Sequence, residues 1–136
     1  MGYRSEVAVR VVGDAKKVAA LRDTMLLKYR DSEGYLWLTQ DLFNEGGDNP
    51  CAEHRVNMDG TEEYLSEFND TKWYTECQNW YATLKELAES VGVAVEFIRA
   101  GEESGDVEHE YSDNIDDYGG TILSTSTKIE VFRVVN

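Results

Sequence analysis

The alternation of apolar and polar positions divides the chain into stretches of two different periods. Over residues 5–12, Val7, Val9 and Val11 alternate with Ala8, Arg10 and Val12, a β-branched, period-two pattern that predicts a strand. Gly13 and Asp14 turn the chain, and the Asp14 carboxylate is suited to cap a helix over 15–30. Val18, Leu21 and Met25 form that helix's apolar stripe, with the lysines and Arg22 outside it. Gly34 ends the pattern, and the aromatic run 35–38 reads as a short strand before a Gly-, Asp- and Asn-rich loop at 44–49. Residues 53–58 and 62–68 read as a hairpin closed by Asp59-Gly60. The strongest helical signal is 71–91, capped within Asn69-Asp70-Thr71. There Trp73, Cys77, Trp80, Leu84, Leu87 and Val91 share one stripe, widened by Tyr74, Tyr81 and Ala88. Gly92 stops it. A strand over 93–99 follows at once, then a polar connection at 101–106, an alternating segment at 107–112, a Gly- and Asp-rich loop at 113–120 and a final strand at 128–135.

The order strand, helix, hairpin, long helix, strand predicts an α+β fold. It resembles the ferredoxin-like plan: a mostly antiparallel sheet with two helices on one face, extended here by C-terminal strands. The 136 residues fit one domain, 1–136, long enough to bury a core without metals or disulfides. No repeat, low-complexity tract or linker interrupts it.

Charge changes the picture most. Thirteen Lys and Arg face 27 Asp and Glu, a net of −14. Residues 1–30 carry seven basic and three acidic side chains, whereas 41–118 carry 21 acidic and four basic ones, a local net of −17. Such a chain repels nucleic acid and anionic lipid at long range and attracts basic surfaces. Neither direct nucleic-acid binding nor membrane association is therefore expected. The opening lacks an apolar run, position 6 is Glu6 where a myristoylation motif needs Ser or Thr, and no apolar run approaches the length of a membrane span. Two cysteines, Cys51 and Cys77, make no disulfide framework and suit a cytoplasm.

The constellations that carry chemistry are few. Residues 102–117 hold Glu102, Glu103, Asp106, Glu108, Glu110, Asp113, Asp116 and Asp117 with no Lys or Arg. Glu108 and Glu110 share one strand face, and Val107, His109 and Tyr111 the other. Carboxylates so spaced can imitate the phosphate charges of nucleic acid. The alternative is a solvated acidic face, although solubility needs a net charge of only about 2–8. The acidic loops 41–48 and 113–117 do not match the EF-hand spacing. Cys51-x-x-His54 is half a zinc motif, with only Cys77 and His109 as distant candidates. The same pair is the one cheap nucleophile–base dyad. No GxSxG, P-loop, GxGxxG or HExxH is present. No enzyme, catalytic residue, metal or cofactor is expected. Of the aromatics, Tyr35 and Trp37 are the candidates for exposed interface anchors.

The opening Met-Gly-Tyr-Arg-Ser-Glu-Val with its valine strand, and the segment Gly-Val-Ala-Val-Glu-Phe-Ile-Arg-Ala-Gly-Glu-Glu at 92–103 running on to Val-Glu-His-Glu-Tyr, resemble small accessory proteins of bacteriophages and prophages. In size and charge alone the chain is also similar to acidic anti-CRISPR and anti-restriction inhibitors. The resemblance implies a non-enzymatic DNA-mimic inhibitor of host defence, acting in the bacterial cytoplasm on a host protein with a basic nucleic-acid-binding surface. Its contact residues would be Glu102, Glu103, Asp106, Glu108, Glu110, Asp113, Asp116 and Asp117, helped by Asp59, Glu62, Glu63 and Glu67 and anchored by Tyr35 and Trp37. The alternatives are a protein-interaction or homodimerising module whose acid is only a solvated face, and a small metal-binding protein or enzyme built on Cys51 and His54.

Overall fold

The computed structural model describes residues 5–43, 53–71, 75–103, 105–125 and 131–133. Its main sheet is antiparallel and five-stranded: β1 (Ser5–Asp14), β2 (Glu53–Val56), β3 (Thr61–Thr71), β4 (Ala94–Gly101) and β5 (Val107–Tyr111), in the order β2-β3-β1-β4-β5. Helices α1 (Ala15–Lys28), α2 (Glu33–Leu42) and α3 (Thr75–Val91) complete the α+β fold. The order β2-β3-β1-β4 is compatible with the ferredoxin-like plan, with β5 added at the β4 edge.

Local signals act where the sequence places them. The Asp14 carboxylate accepts from Lys16 N at 3.1 Å and starts α1. Gly60, at φ 87°, makes the β2–β3 turn. Gly92, at φ 81°, ends α3: its N–H bonds Glu89 O while Val93 N–H bonds Ala88 O, the paired closure of a Schellman motif. On α3, Trp80, Tyr81, Leu84 and Ala88 are buried, and Cys77, Leu87 and Val91 pack against them. They meet Val18, Leu21 and Met25 of α1 and Val7, Val9, Val11, Val95 and Phe97 of the sheet in one core.

Four expectations are corrected. Residues 35–38 belong to α2, not to a strand. A four-residue aromatic run fits either period, and packing decides for the helix. Leu38 and Leu42 are buried one turn apart, Thr39 Oγ1 donates to Tyr35 O at 2.8 Å, and Trp80 Nε1 donates to Thr39 Oγ1 at 3.0 Å. The helices in the described residues are therefore three rather than two. Residues 69–71 are strand rather than cap, so α3 begins at Thr75; Trp73 and Tyr74 lie outside the described residues, as does the 44–49 loop. Residues 113–118 form a 3₁₀ turn that buries Ile115. The last strand, described as β7 (Val131–Arg133), pairs with β6 (Leu123–Thr125) in a separate ribbon, so β5 is the strand that extends the main sheet.

This later segment has a physical task. The second face of the sheet carries Ala8, Val12, Leu65, Ala94, Ile98 and Ala100, an apolar surface that must be covered. Ile115, Ile122 and Leu123 cover it, with Tyr118 packed beside them. Among these apolar residues lies the buried carboxylate of Glu96. It accepts from Arg10 Nη1 (3.3 Å), His109 Nε2 (2.7 Å), Ile122 N (2.9 Å) and Leu123 N (3.1 Å). A carboxylate facing a guanidinium and two amides can only accept, so the His109 nitrogen carries its proton toward it. Arg10 is completed by Glu63 through Nε (2.8 Å) and by Gly120 O (3.3 Å).

Removing one member of a buried ionic cluster strands the others in low dielectric, at a cost of about 3–5 kcal/mol. Glu96→Ala is expected to lose about that much stability in urea unfolding. A loss below about 1 kcal/mol contradicts the role assigned to this carboxylate.

Candidate functional site

The β-strand pairings separate the acidic residues that lie together in sequence. Ser5 of β1 pairs with Gly101, and Asp14 pairs with Thr61. The β4–β5 turn therefore lies at the β1 start and the β2–β3 turn at the β1 end. Strand β5 runs between these ends, so Glu102, Glu103 and Asp106 sit at one end of the sheet, while Asp113, Asp116 and Asp117 reach the other.

At the first end Arg99 organises the carboxylates. Its Nη2 donates to Asp106 Oδ1 at 2.7 Å and to Glu108 Oε1 at 3.0 Å, while Nη1 donates to Asp106 Oδ2 at 3.2 Å and to Ser5 Oγ at 3.1 Å. The hydrogen bond to Asp106 raises the Arg99 pKa against the opposing effect of burial, with Glu108 adding to it. Glu102 and Glu103 are exposed beside this cluster. All five residues of β5 are exposed. Glu108 accepts from Gln78 Nε2 of α3 at 3.4 Å. Glu110 joins Tyr81, Lys85, Glu86 and Glu89 around an open groove of about 510 Å³ between α3 and β5.

At the opposite end, Asp59 of the β2–β3 turn and Asp117 of the 3₁₀ turn line a cavity of about 330 Å³ with Arg10 and Glu63. Asp59 Oδ1 accepts from Thr61 Oγ1 (2.6 Å) and Thr61 N (3.0 Å), which holds its carboxyl below the usual range. Asp113 and Asp116 are exposed on the same 3₁₀ turn.

The remaining candidates have structural partners. Glu63 is buried on Arg10. Glu62 lies 3.2 Å from His54 Nε2, whose ring stacks on Tyr64 at 4.2 Å. Glu67 is half-buried near Glu53 and Glu6; burial first, and then these two charges, push its carboxyl up. Tyr35 packs against the core, its ring 5.0 Å from that of Tyr29. Trp37 is half-exposed and set edge-on to Phe68 at 6.2 Å.

For metal chemistry, Cys51 lies outside the described residues. Cys77 is half-buried against the core, and His109 is engaged with Glu96. Among the described residues no group of three or more His, Cys, Asp or Glu is placed to hold a metal ion, and no helix is long and apolar enough to cross a membrane. Sequence reading missed Glu86 and Glu89, which extend the acidic edge onto α3. Their spacing of three on the polar flank of the 71–91 stripe is the signal that points to them. The sequence matches no protein-family model and no curated protein.

The upward shift at Glu67 fixes a sign. Its folded pKa stands above its unfolded value, so the folded state holds the proton more tightly and loses stability as pH rises through that range. Glu67→Gln is expected to raise the unfolding midpoint at pH 7, with the gain shrinking toward pH 4 as wild-type Glu67 becomes protonated. A gain independent of pH, or a loss at pH 7, contradicts this account.

Proposed function

We propose that this chain is a non-enzymatic, phage-type inhibitor whose acidic β5–α3 edge occupies the basic nucleic-acid-binding surface of a host defence protein in the bacterial cytoplasm. The observation that carries the reading is the exposed edge strand bearing Glu110, flanked by Glu102, Glu103, Glu86 and Glu89. Same-face residues of a strand recur about every 6.7 Å, close to two axial steps of about 3.4 Å along one DNA strand. Arg99 pairs with Asp106 and Glu108, and one cation, Lys85, stands with Glu86, Glu89 and Glu110 at the groove. Asp59 and Asp117, at the far end, form a separate patch. Trp37, half-exposed on α2 against Phe68 of β3, lies across the sheet from this edge, whose own half-exposed aromatic is Tyr111.

A second reading rests on the same edge. Val107 and Tyr111 are 47% and 51% exposed on an open strand, a geometry suited to strand addition or homodimer pairing. The glutamates argue against it, since charge on an edge strand discourages such pairing.

Capture from bacterial lysate at about 50 and about 500 mM salt separates the two readings, because screening length falls about threefold between them. Mimicry expects a nucleic-acid-binding complex recovered at low salt, displaced by added DNA and lost on joint reversal of Glu102, Glu103 and Glu110 to Lys. Reversal of Asp59 and Asp117 is the control and leaves capture intact. An interaction indifferent to salt, DNA and charge reversal belongs to strand pairing and ends the mimicry reading.

A further inference from the structure

The groove between α3 and β5 contains a group that the fold leaves without a partner. Tyr81 is 2% exposed, and its hydroxyl is buried with no hydrogen-bond partner among the described residues. The ring stacks on Phe97, with centroids 4.5 Å apart and planes 28° apart, so the side chain is held in place by the core. A phenylalanine would fill the same space without a buried polar atom, and an unsatisfied buried hydroxyl is unfavourable. Tyr81 lines the groove, with Glu86, Glu89 and Glu110 around it and Lys85 as the lining cation. Burial first, and then Glu110, Glu89 and Glu96, push the phenol above its ordinary pKa. It is therefore a neutral hydroxyl beneath carboxylates, and its oxygen has lone pairs to offer.

We propose that this groove seats a guanidinium group, an arginine side chain of the partner. The site supplies acceptors: carboxylates around it and, beneath its lining, the unpartnered phenolic oxygen of Tyr81, closed to solvent in the free chain and reached by the fork as the lining side chains move aside. A guanidinium supplies donors only, five N–H groups in a planar fork, and sheds water more readily than an ammonium. The fork spreads its donors over Tyr81 and two carboxylates together, which the compact charge of a lysine does less well. The carboxylates exclude an anion. The basic nature of the partner rests on the mimicry reading above; the chemistry of the groove does not.

The test uses N-acetyl-arginine amide as probe in an NMR titration of the whole chain. Its neutral isostere N-acetyl-citrulline amide, N-acetyl-lysine amide and free arginine serve as comparisons. The arginine amide is expected to shift the amides of residues 78–89 and Glu110 saturably, and citrulline to leave them in place. Lysine should bind more weakly, as should free arginine, whose extra carboxylate is repelled by Glu86 and Glu89. Tyr81→Phe is expected to weaken the arginine amide at least about tenfold, the effect of losing one hydrogen bond to a charged donor, without lowering the melting temperature. Glu110→Gln weakens it too. Equal shifts with citrulline, shifts spread over the whole acidic surface and unchanged by Tyr81→Phe, or no saturable shift, as for a hydroxyl served by water alone, overturn the assignment. Loss of lysate capture on charge reversal with no arginine binding refutes the seat and leaves mimicry standing. Arginine binding without any salt-sensitive partner leaves the seat and refutes mimicry.

Discussion

The second face of the sheet depends on solvating one carboxylate without water. Glu96 lies in the central part of β4 with no exposed surface, where an ionised group is tolerated only if donors replace its hydration shell. Those donors come from three directions: Arg10 from β1, His109 from β5, and the amides of Ile122 and Leu123 from the covering segment. The apolar contacts of that segment are non-directional and would permit many placements. The two amide bonds select one. Arg10, shared with Glu63, carries the same constraint across to β3. A buried ionic cluster is weak evidence of net stability, but it is well suited to fixing register, and here it fixes how the covering segment meets the sheet.

The same economy of charge shapes the surface. The basic residues are concentrated before residue 31 and the acids after residue 40, which keeps the two signs apart along the chain. Where the two do meet, Arg10 and Arg99 absorb Glu63, Glu96, Asp106 and Glu108. Glu110 of β5 and Glu86 and Glu89 of α3 gather at the groove between the two elements, with Lys85 among them. Repulsion among these groups is a standing cost in the free chain, and a positive partner surface relieves it. Charge of this kind chiefly sets encounter rate and specificity, whereas a seated, desolvated side chain sets residence time. On the proposed reading, the acidic edge and the groove with Tyr81 divide the two tasks between them.

Much of the fold was legible in the sequence because the decisive signals were local. The stripe through Cys77, Trp80, Leu84, Leu87 and Val91, the Asp14 cap and the glycines at 60 and 92 each act within a turn or two of the chain. The run at 35–38 was misread since four residues cannot distinguish a period of 2 from one of 3.6. The acidic character of the candidate site was equally plain, but its geometry was not. Residues 102–117 look like one array in sequence, and only the course of β5 along the sheet reveals that they serve two ends. Glu96 sat unnoticed between Val95 and Phe97, and the Tyr81 hydroxyl within an apolar stripe. What distinguishes both is their surroundings, which are assembled from residues far apart in the chain.

The distance between Glu96 and its donors also bears on how the protein comes to be made. During synthesis β4 emerges before Ile122 and Leu123, whose amides lie 26 and 27 residues further on. Until they arrive, the helix-covered side of the sheet has all its strands through β4, whereas the other side has neither its apolar cover nor the donors that let Glu96 leave water. A nascent chain halted there would hold a half-dry sheet, open on one side and prone to stick to other chains. The ribosome must therefore deliver the chain through Leu123 before this face of the sheet can close.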